Sequence, residues 1–230
     1  MTEGFKTFEA GLGIRFKNPE LLRQAFTHRS YLNEHRGEVS DHNERLEFLG
    51  DAVLELIVTH FLYEKFPTQP EGDLTAYRAA LVNAVTLSEV AGEIGMNDYL
   101  LLSRGEAKDT GRARAILLAN AIEALIGAIY LDQGYDAAHM FIEQHLFPKI
   151  DDIMHKKLWR DPKSTLQEKA QEAEGATPYY TVIRETGPDH DKQFVVGVYV
   201  RDTLLSQGSG KSKQEAEQDA ARNALEEKGW

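Results

Sequence analysis

The hydrophobic period of this 230-residue chain changes once, near residue 163, and that change limits the fold more than any other feature. Before it, from Phe5 to about Ile153, apolar residues recur at spacings of three and four, the mark of helices. The pattern predicts helices over 5–11, 19–26, 44–65, 71–82, 84–94, 113–132 and 135–146. Turn-forming stretches such as "PTQPEGD" and "SRGEAKDTGR" separate them. After it, "PYYTVIRETG" and "KQFVVGVYV" alternate and are rich in β-branched and aromatic residues, so they read as strands. "TLLSQGSG" reads as a third strand, between a helix opened by Ser164 or Thr165 and a last helix capped by Ser212. The expected architecture is an all-α domain over 1–154, a charged linker over 155–162, and a small α+β domain of order α-β-β-β-α over 163–230.

A hydrophobic fraction of 42% is ample for two cores. The absence of cysteine excludes disulfides, thiolate zinc sites and thiol nucleophiles, and suits a reducing cytosol. "MTEGFKTFEA" lacks the basic start and apolar run of a signal peptide, and the apolar stretch 115–131 is interrupted by Asn120 and Glu123. A soluble, cytoplasmic protein with no membrane partner is expected. The net charge of −11 argues against indiscriminate attraction to nucleic acid, but an acidic metal site and a local basic patch remain compatible with it.

The stretch "HNERLEFLGDAVLEL" carries an unusual helix. At about 100° per residue, Glu44, Glu47, Asp51 and Glu55 fall within an arc of roughly 80°, while apolar residues occupy most of the remaining surface. A second helix answers it. Asn120 and Glu123 are the only polar side chains between Ala115 and Ile129, and three-residue spacing puts them on one face. A carboxylate in an apolar setting needs a partner or changes its protonation. Carboxylate and amide oxygens, with no Cys or His at ligand spacing, favour a hard ion such as Mg²⁺, with Mn²⁺ able to substitute. There is no HExxH motif and no Glu-x-x-His step on these helices, which leaves metal-assisted phosphoryl chemistry. The alternative at this point is a solvated acidic face on one helix and a satisfied core Asn–Glu pair on the other.

"HNERLEFLGDAVLEL" resembles the signature of the ribonuclease III family, and so do "AFTHRSYLNEH", "EGDLTAYRAALV" and "EALIGAIYLDQG". The C-terminal α-β-β-β-α unit resembles a double-stranded-RNA-binding domain, so the likeness covers essentially the whole chain. The resemblance implies a Mg²⁺-dependent homodimeric endonuclease that hydrolyses double-stranded RNA to 5′-phosphate and 3′-hydroxyl ends with short 3′ overhangs. Precursors of ribosomal RNA and structured messengers are the usual substrates, and no small-molecule cofactor is involved. It assigns metal ligation to Glu47, Asp51, Asn120 and Glu123, the closest tie to catalysis to Asp51 and Glu123, and places in the substrate cleft to Glu44 and Glu71. Phe48 and Leu49 become candidates for the subunit contact, with Gly50 allowing close approach; the alternative is that both fill the core of the single chain. One departure stands out: the position of Asn120 is most often aspartate in the family, which keeps open a double-stranded-RNA-binding scaffold with a weakened nuclease site.

From Lys163 onward the chain has 9 basic and 12 acidic residues, so RNA binding there must rest on a placed patch. Lys211, Ser212 and Lys213 stand at the start of the last helix, where free N–H groups also favour phosphate. Gln214 and Glu217 stand where the most basic domains of this type carry lysines. By the same resemblance Ser164, Gln167, Glu168 and Gln171 meet a minor groove, and His190 makes a second groove contact. Tyr179, Phe194, Val196, Val198 and Ala216 read as domain core, and His28 as structural.

Overall fold

The computed structural model describes residues 3–35, 37, 41–155, 159, 161–188 and 192–230. They form two compact units, divided between Trp159 and Arg160.

The first unit is helical: α1 (Glu3–Leu12), α2 (Pro19–Ala25), α3 (Arg29–Glu34), α4 (Glu44–Lys65), α5 (Glu71–Val82), α6 (Ala84–Glu93), α7 (Arg112–Gln133), α8 (Tyr135–His145) and α9 (Lys149–His155). Two 3₁₀ turns, Met96–Tyr99 and Glu106–Lys108, lie between α6 and α7. The long periodic stretches are helices as expected. The short α3 and α9 were not expected: α3 buries none of its residues, and α9 buries only Ile150 and Ile153. Neither therefore shows a hydrophobic period. His28 has the structural role expected of it, since its ring nitrogen accepts the Ser30 N–H and caps α3.

Helix α7 is the centre of this unit and packs against α2, α4, α6 and α8. By length and mean hydropathy it passes as a membrane span despite Asn120 and Glu123. Packing decides otherwise, because ten of its residues from Leu118 to Ile129 are buried against neighbouring helices. Its crossing with α4 is unusually close. A Cβ placed on Gly50 would lie 1.8 Å from the Glu123 carbonyl oxygen, and one on Gly127 would lie 2.3 Å from the Leu46 carbonyl oxygen. The two backbones touch, and only glycine fits on either side. The close approach expected of Gly50 toward a second subunit is thus made within the chain. Leu49 is partly buried against the core, whereas Phe48 is 81% exposed.

The second unit runs α10 (Pro162–Glu174), β1 (Tyr179–Thr186), β2 (Gln193–Val200), β3 (Thr203–Gly210) and α11 (Lys213–Lys228). The strands form an antiparallel sheet of order β1-β2-β3. Helix α10 starts two residues earlier than Ser164: Asp161 caps it and Pro162 occupies the first turn, where its missing N–H does no harm. In β3, a Cβ on Gly208 would lie 2.0 Å from the Ala220 nitrogen, so the glycines let α11 lie directly on the sheet. Phe194, Val196, Val198 and Ala216 are buried as expected, but Tyr179 is not. It stacks on Tyr199 at 5.3 Å on the exposed face, and Tyr180 packs inward instead. In a strand, a one-residue error in phase exchanges the faces.

Candidate active site

The glycine crossing brings the acidic stripe of α4 to Glu123 of α7. The stripe then divides. At its first end, Glu44 lies 3.5 Å from Arg29 and 3.9 Å from the His42 ring. At its last, Glu55 lies 4.0 Å from Arg78, which also donates to Thr59 Oγ1 at 3.0 Å. Glu47, Asp51 and Glu123, between these ends, have no cation in salt-bridge reach among the described residues.

The electrostatic consequence is visible in the carboxyls. Burial pushes Glu123 up from 4.5 to about 7, and the charges of Asp51 and Glu47 add to the effect. Glu47 is also raised, first by burial and then by Glu44 and Asp51. Three carboxyls from two helices therefore feel one another, with no cation among the described residues in salt-bridge reach to offset them, although Asp51 itself is exposed. Asn120 is half-buried one turn before Glu123 on the same helix. Among the described residues no group of three or more His, Cys, Asp or Glu is drawn together tightly enough to hold a metal ion.

Glu71 stands apart, exposed in the first turn of α5, where its carboxylate accepts from Thr75 Oγ1 at 3.0 Å. It lines a groove of about 440 Å³ with Tyr63, Gln69 and Arg78. Sequence reading overlooks Gly127 and Arg78, and it gives Gly50 a different partner. The glycine pair could have been found, because glycine inside a helix costs about 1 kcal/mol relative to alanine and needs a reason.

In the second unit, Gln167, Glu168 and Gln171 are exposed on α10. Ser164 is exposed too, but its hydroxyl donates to Asp161 at 2.7 Å. At the start of α11, Ser212 Oγ accepts from the Glu215 N–H at 3.1 Å, and the Glu215 carboxylate accepts from the Lys211 N–H at 2.9 Å. This reciprocal cap fixes the loop that carries Lys211 and Lys213, both exposed. His190 lies outside the described residues.

Comparison with known proteins identifies both units. A family model described as Ribonuclease-III-like matches residues 18–150, and one described as a double-stranded RNA binding motif matches residues 162–228. The chain is 49% identical to a ribonuclease 3 of Bdellovibrio bacteriovorus over 227 residues, 98% of this chain and 97% of that protein. It is 48% identical to a ribonuclease 3 of Bacillus licheniformis over 223 residues, 97% and 89% of the two chains. Among solved structures, a nuclease domain of ribonuclease III from Campylobacter jejuni aligns with a TM-score of 0.57 and 39% identity, over 63% of this chain and 99% of that one.

Proposed function

For a chain that belongs to the ribonuclease III family and is an endoribonuclease with a double-stranded-RNA-binding domain, we propose that the α4–α7 crossing is its cutting site. Glu47, Asp51, Asn120 and Glu123 hold Mg²⁺, or Mn²⁺ in its place. The observation that carries this reading is the backbone contact at Gly50, which brings Glu47 and Asp51 of α4 beside Glu123 of α7 with no cation among the described residues in salt-bridge reach. The donor set fits a hard divalent ion: carboxylate and amide oxygens, and no thiolate or imidazole. Such an ion supplies positive charge to the phosphodiester and makes water acidic enough to act at neutral pH. The chain's part is to present side-chain oxygens from two crossing helices, Asp51 and Glu123 nearest the chemistry. Glu44 and Glu71 line the path of the duplex. The products are 5′-phosphate and 3′-hydroxyl ends with short 3′ overhangs, and the substrates are ribosomal RNA precursors and structured messengers in the cytoplasm.

The same reading includes a homodimer. Phe48 is exposed beside a groove lined by Leu21, Leu49 and Leu131 together with Gln24, His42, Glu44 and Arg45, an apolar centre with a polar rim that a second copy would cover. The Campylobacter jejuni structure is itself described by a region involved in dimer formation. A second reading, a scaffold that binds duplexes without cutting them, is favoured by one observation, the neutral Asn120 in the acidic site. Incubating the purified protein with a long RNA duplex separates the two. Short duplex products that form with Mg²⁺ and not with a chelator are expected. Binding without shortening in Mg²⁺ would overturn the nuclease reading.

The RNA-binding unit is assigned contacts through Ser164, Gln167, Glu168 and Gln171 of α10, and through Lys211, Ser212 and Lys213 at the start of α11. Replacing Lys211 and Lys213 with alanine is expected to weaken duplex binding. It should also lower the magnitude of the log–log salt slope by up to about 2, one per lost phosphate contact. An unchanged slope in a filter-binding series would remove both lysines from the interface.

A further inference from the structure

Glu217 stands one helical turn after Lys213, where a lysine would thicken the basic patch. The structure gives this carboxylate a different partner. Lys163, in the first turn of α10, donates to Glu217 Oε2 at 2.7 Å, and its ammonium lies 4.7 Å from the centre of the Tyr180 ring. Both members of the pair are mostly shielded from solvent, with side-chain exposures of 32% and 28%. The neighbouring residues repeat the connection. Asp161, which caps α10 and takes the Ser164 hydroxyl, is held below the usual carboxylate range although burial opposes this, because Ser164, Gln218 and backbone N–H groups hydrogen-bond to it. Tyr180 is pushed up to about 12 by burial and by the charges of Asp161 and Glu217. Thus the end of α10 that carries Ser164 and Gln167 is tied to α11 one turn from Lys213, through Glu217.

We propose that the Lys163–Glu217 pair is a positioning device for duplex RNA, fixing the first turn of α10 against the start of α11 so that both helices meet one duplex in register. The proposal rests on the assignment of RNA contacts to α10 and α11 under the proposed function. Lys163 is then a fastener within the domain and not a phosphate ligand, and the acid at position 217 is required and not a thinning of the patch. A shielded pair of this kind couples its two members far more strongly than an exposed one, so breaking it from either side has a measurable effect.

The test turns on sign. If Glu217 only dilutes the patch, Glu217→Lys adds two units of positive charge beside Lys213 and tightens duplex binding. The positioning role predicts the reverse, a weakening of roughly fivefold or more, because like charges now face each other across the helix pair. It also predicts that Lys163→Glu weakens binding and that the double exchange Lys163→Glu with Glu217→Lys recovers toward the parent value. Glu217→Gln, which keeps shape and adds no repulsion, guards against misfolding of the charge-reversed variants. It should weaken binding two- to threefold while circular dichroism stays at the parent value and the melting temperature falls only slightly. In the full-length enzyme the loss should appear in KM for the duplex with kcat unchanged. Tighter binding by Glu217→Lys, no recovery in the double exchange, or a Glu217→Gln variant that binds like the parent would overturn the proposal. The Lys211→Ala, Lys213→Ala pair serves as the control. If it weakens binding while the Glu217 variants do not, this proposal alone fails; if it has no effect either, the assigned RNA face is wrong.

Discussion

Glu123→Gln is expected to bind duplex RNA as the parent chain does and to cut it at least about 10³-fold more slowly, the scale of several kcal/mol of lost charge stabilisation. The substitution keeps the shape and one oxygen of the side chain while removing the charge that ties a cation to α7. The same change should stabilise the metal-free protein in alkaline solution. The folded-state value for Glu123 is about 7 against 4.5 for the free group, so the folded chain holds this proton more tightly than the unfolded one. That contribution is fully present below about pH 4.5 and is lost as pH rises through 7. At face value the difference corresponds to about 3 kcal/mol, and solvent screening of a partly exposed group reduces it to about 1–2 kcal/mol. Denaturant melts at pH 8 without metal should therefore show Glu123→Gln more stable than the parent, with the gap closing at pH 5. A variant that cuts at the parent rate would place the chemistry elsewhere.

Gly50→Ala is expected to destabilise the nuclease unit by about 3 kcal/mol or more, the upper end of overpacking effects. Alanine gains up to about 1 kcal/mol of helix propensity over glycine, but here that gain cannot win. The new methyl would sit 1.8 Å from the Glu123 carbonyl oxygen, 2.7 Å from its carbon and 2.9 Å from the Gly127 nitrogen. These are backbone atoms of the most buried helix, and no rotamer change moves them. Relief requires α4 and α7 to separate, which also parts Glu47 and Asp51 from Glu123, so cutting should fall with stability. In a chain of this size the melting temperature should drop by about 6–12 °C. Gly92→Ala is the matched control: it lies in α6 with nothing within 4 Å of the added methyl and should be neutral or slightly stabilising. Equal melting temperatures for the parent and Gly50→Ala would show that the helices do not touch at this point.

Long elements with a clear period are legible in the sequence. The bounds expected for α4, α5 and β3 coincide with the structure, and α7 differs by one residue at each end. Short elements are not. The start of α10 is misplaced from sequence because Pro162 looks like the end of a linker, whereas with Asp161 as cap it opens the helix. The residues of the proposed site stand out in the sequence for a related reason: polar groups isolated on apolar helices break a pattern, and Asn120 and Glu123 do so plainly. Their grouping is not legible. Nothing in the spacing of α4 tells that Gly50 faces Glu123 and not a second subunit, because a helix apolar around most of its circumference offers several faces for contact. Likewise, Glu217 read locally is only a missing lysine. Its partner Lys163 lies 54 residues away and is recognisable only when α10 and α11 pack.

Side-chain oxygens from α4 and α7 are proposed to hold divalent metal, and calorimetric titration of Mg²⁺ into the metal-free protein at pH 8 tests this most directly. One charge pair about 4 Å apart is worth roughly 4 kcal/mol at an effective dielectric near 20. Desolvation and repulsion from neighbouring carboxylates leave about 1–2 kcal/mol of this, near tenfold in affinity. The expected result is saturable binding by the parent chain, binding weakened about tenfold or more in each of Glu47→Gln, Asp51→Asn and Glu123→Gln, weaker binding in Asn120→Ala, and tighter binding in Asn120→Asp. A single affinity shared by the parent and all five variants would contradict it.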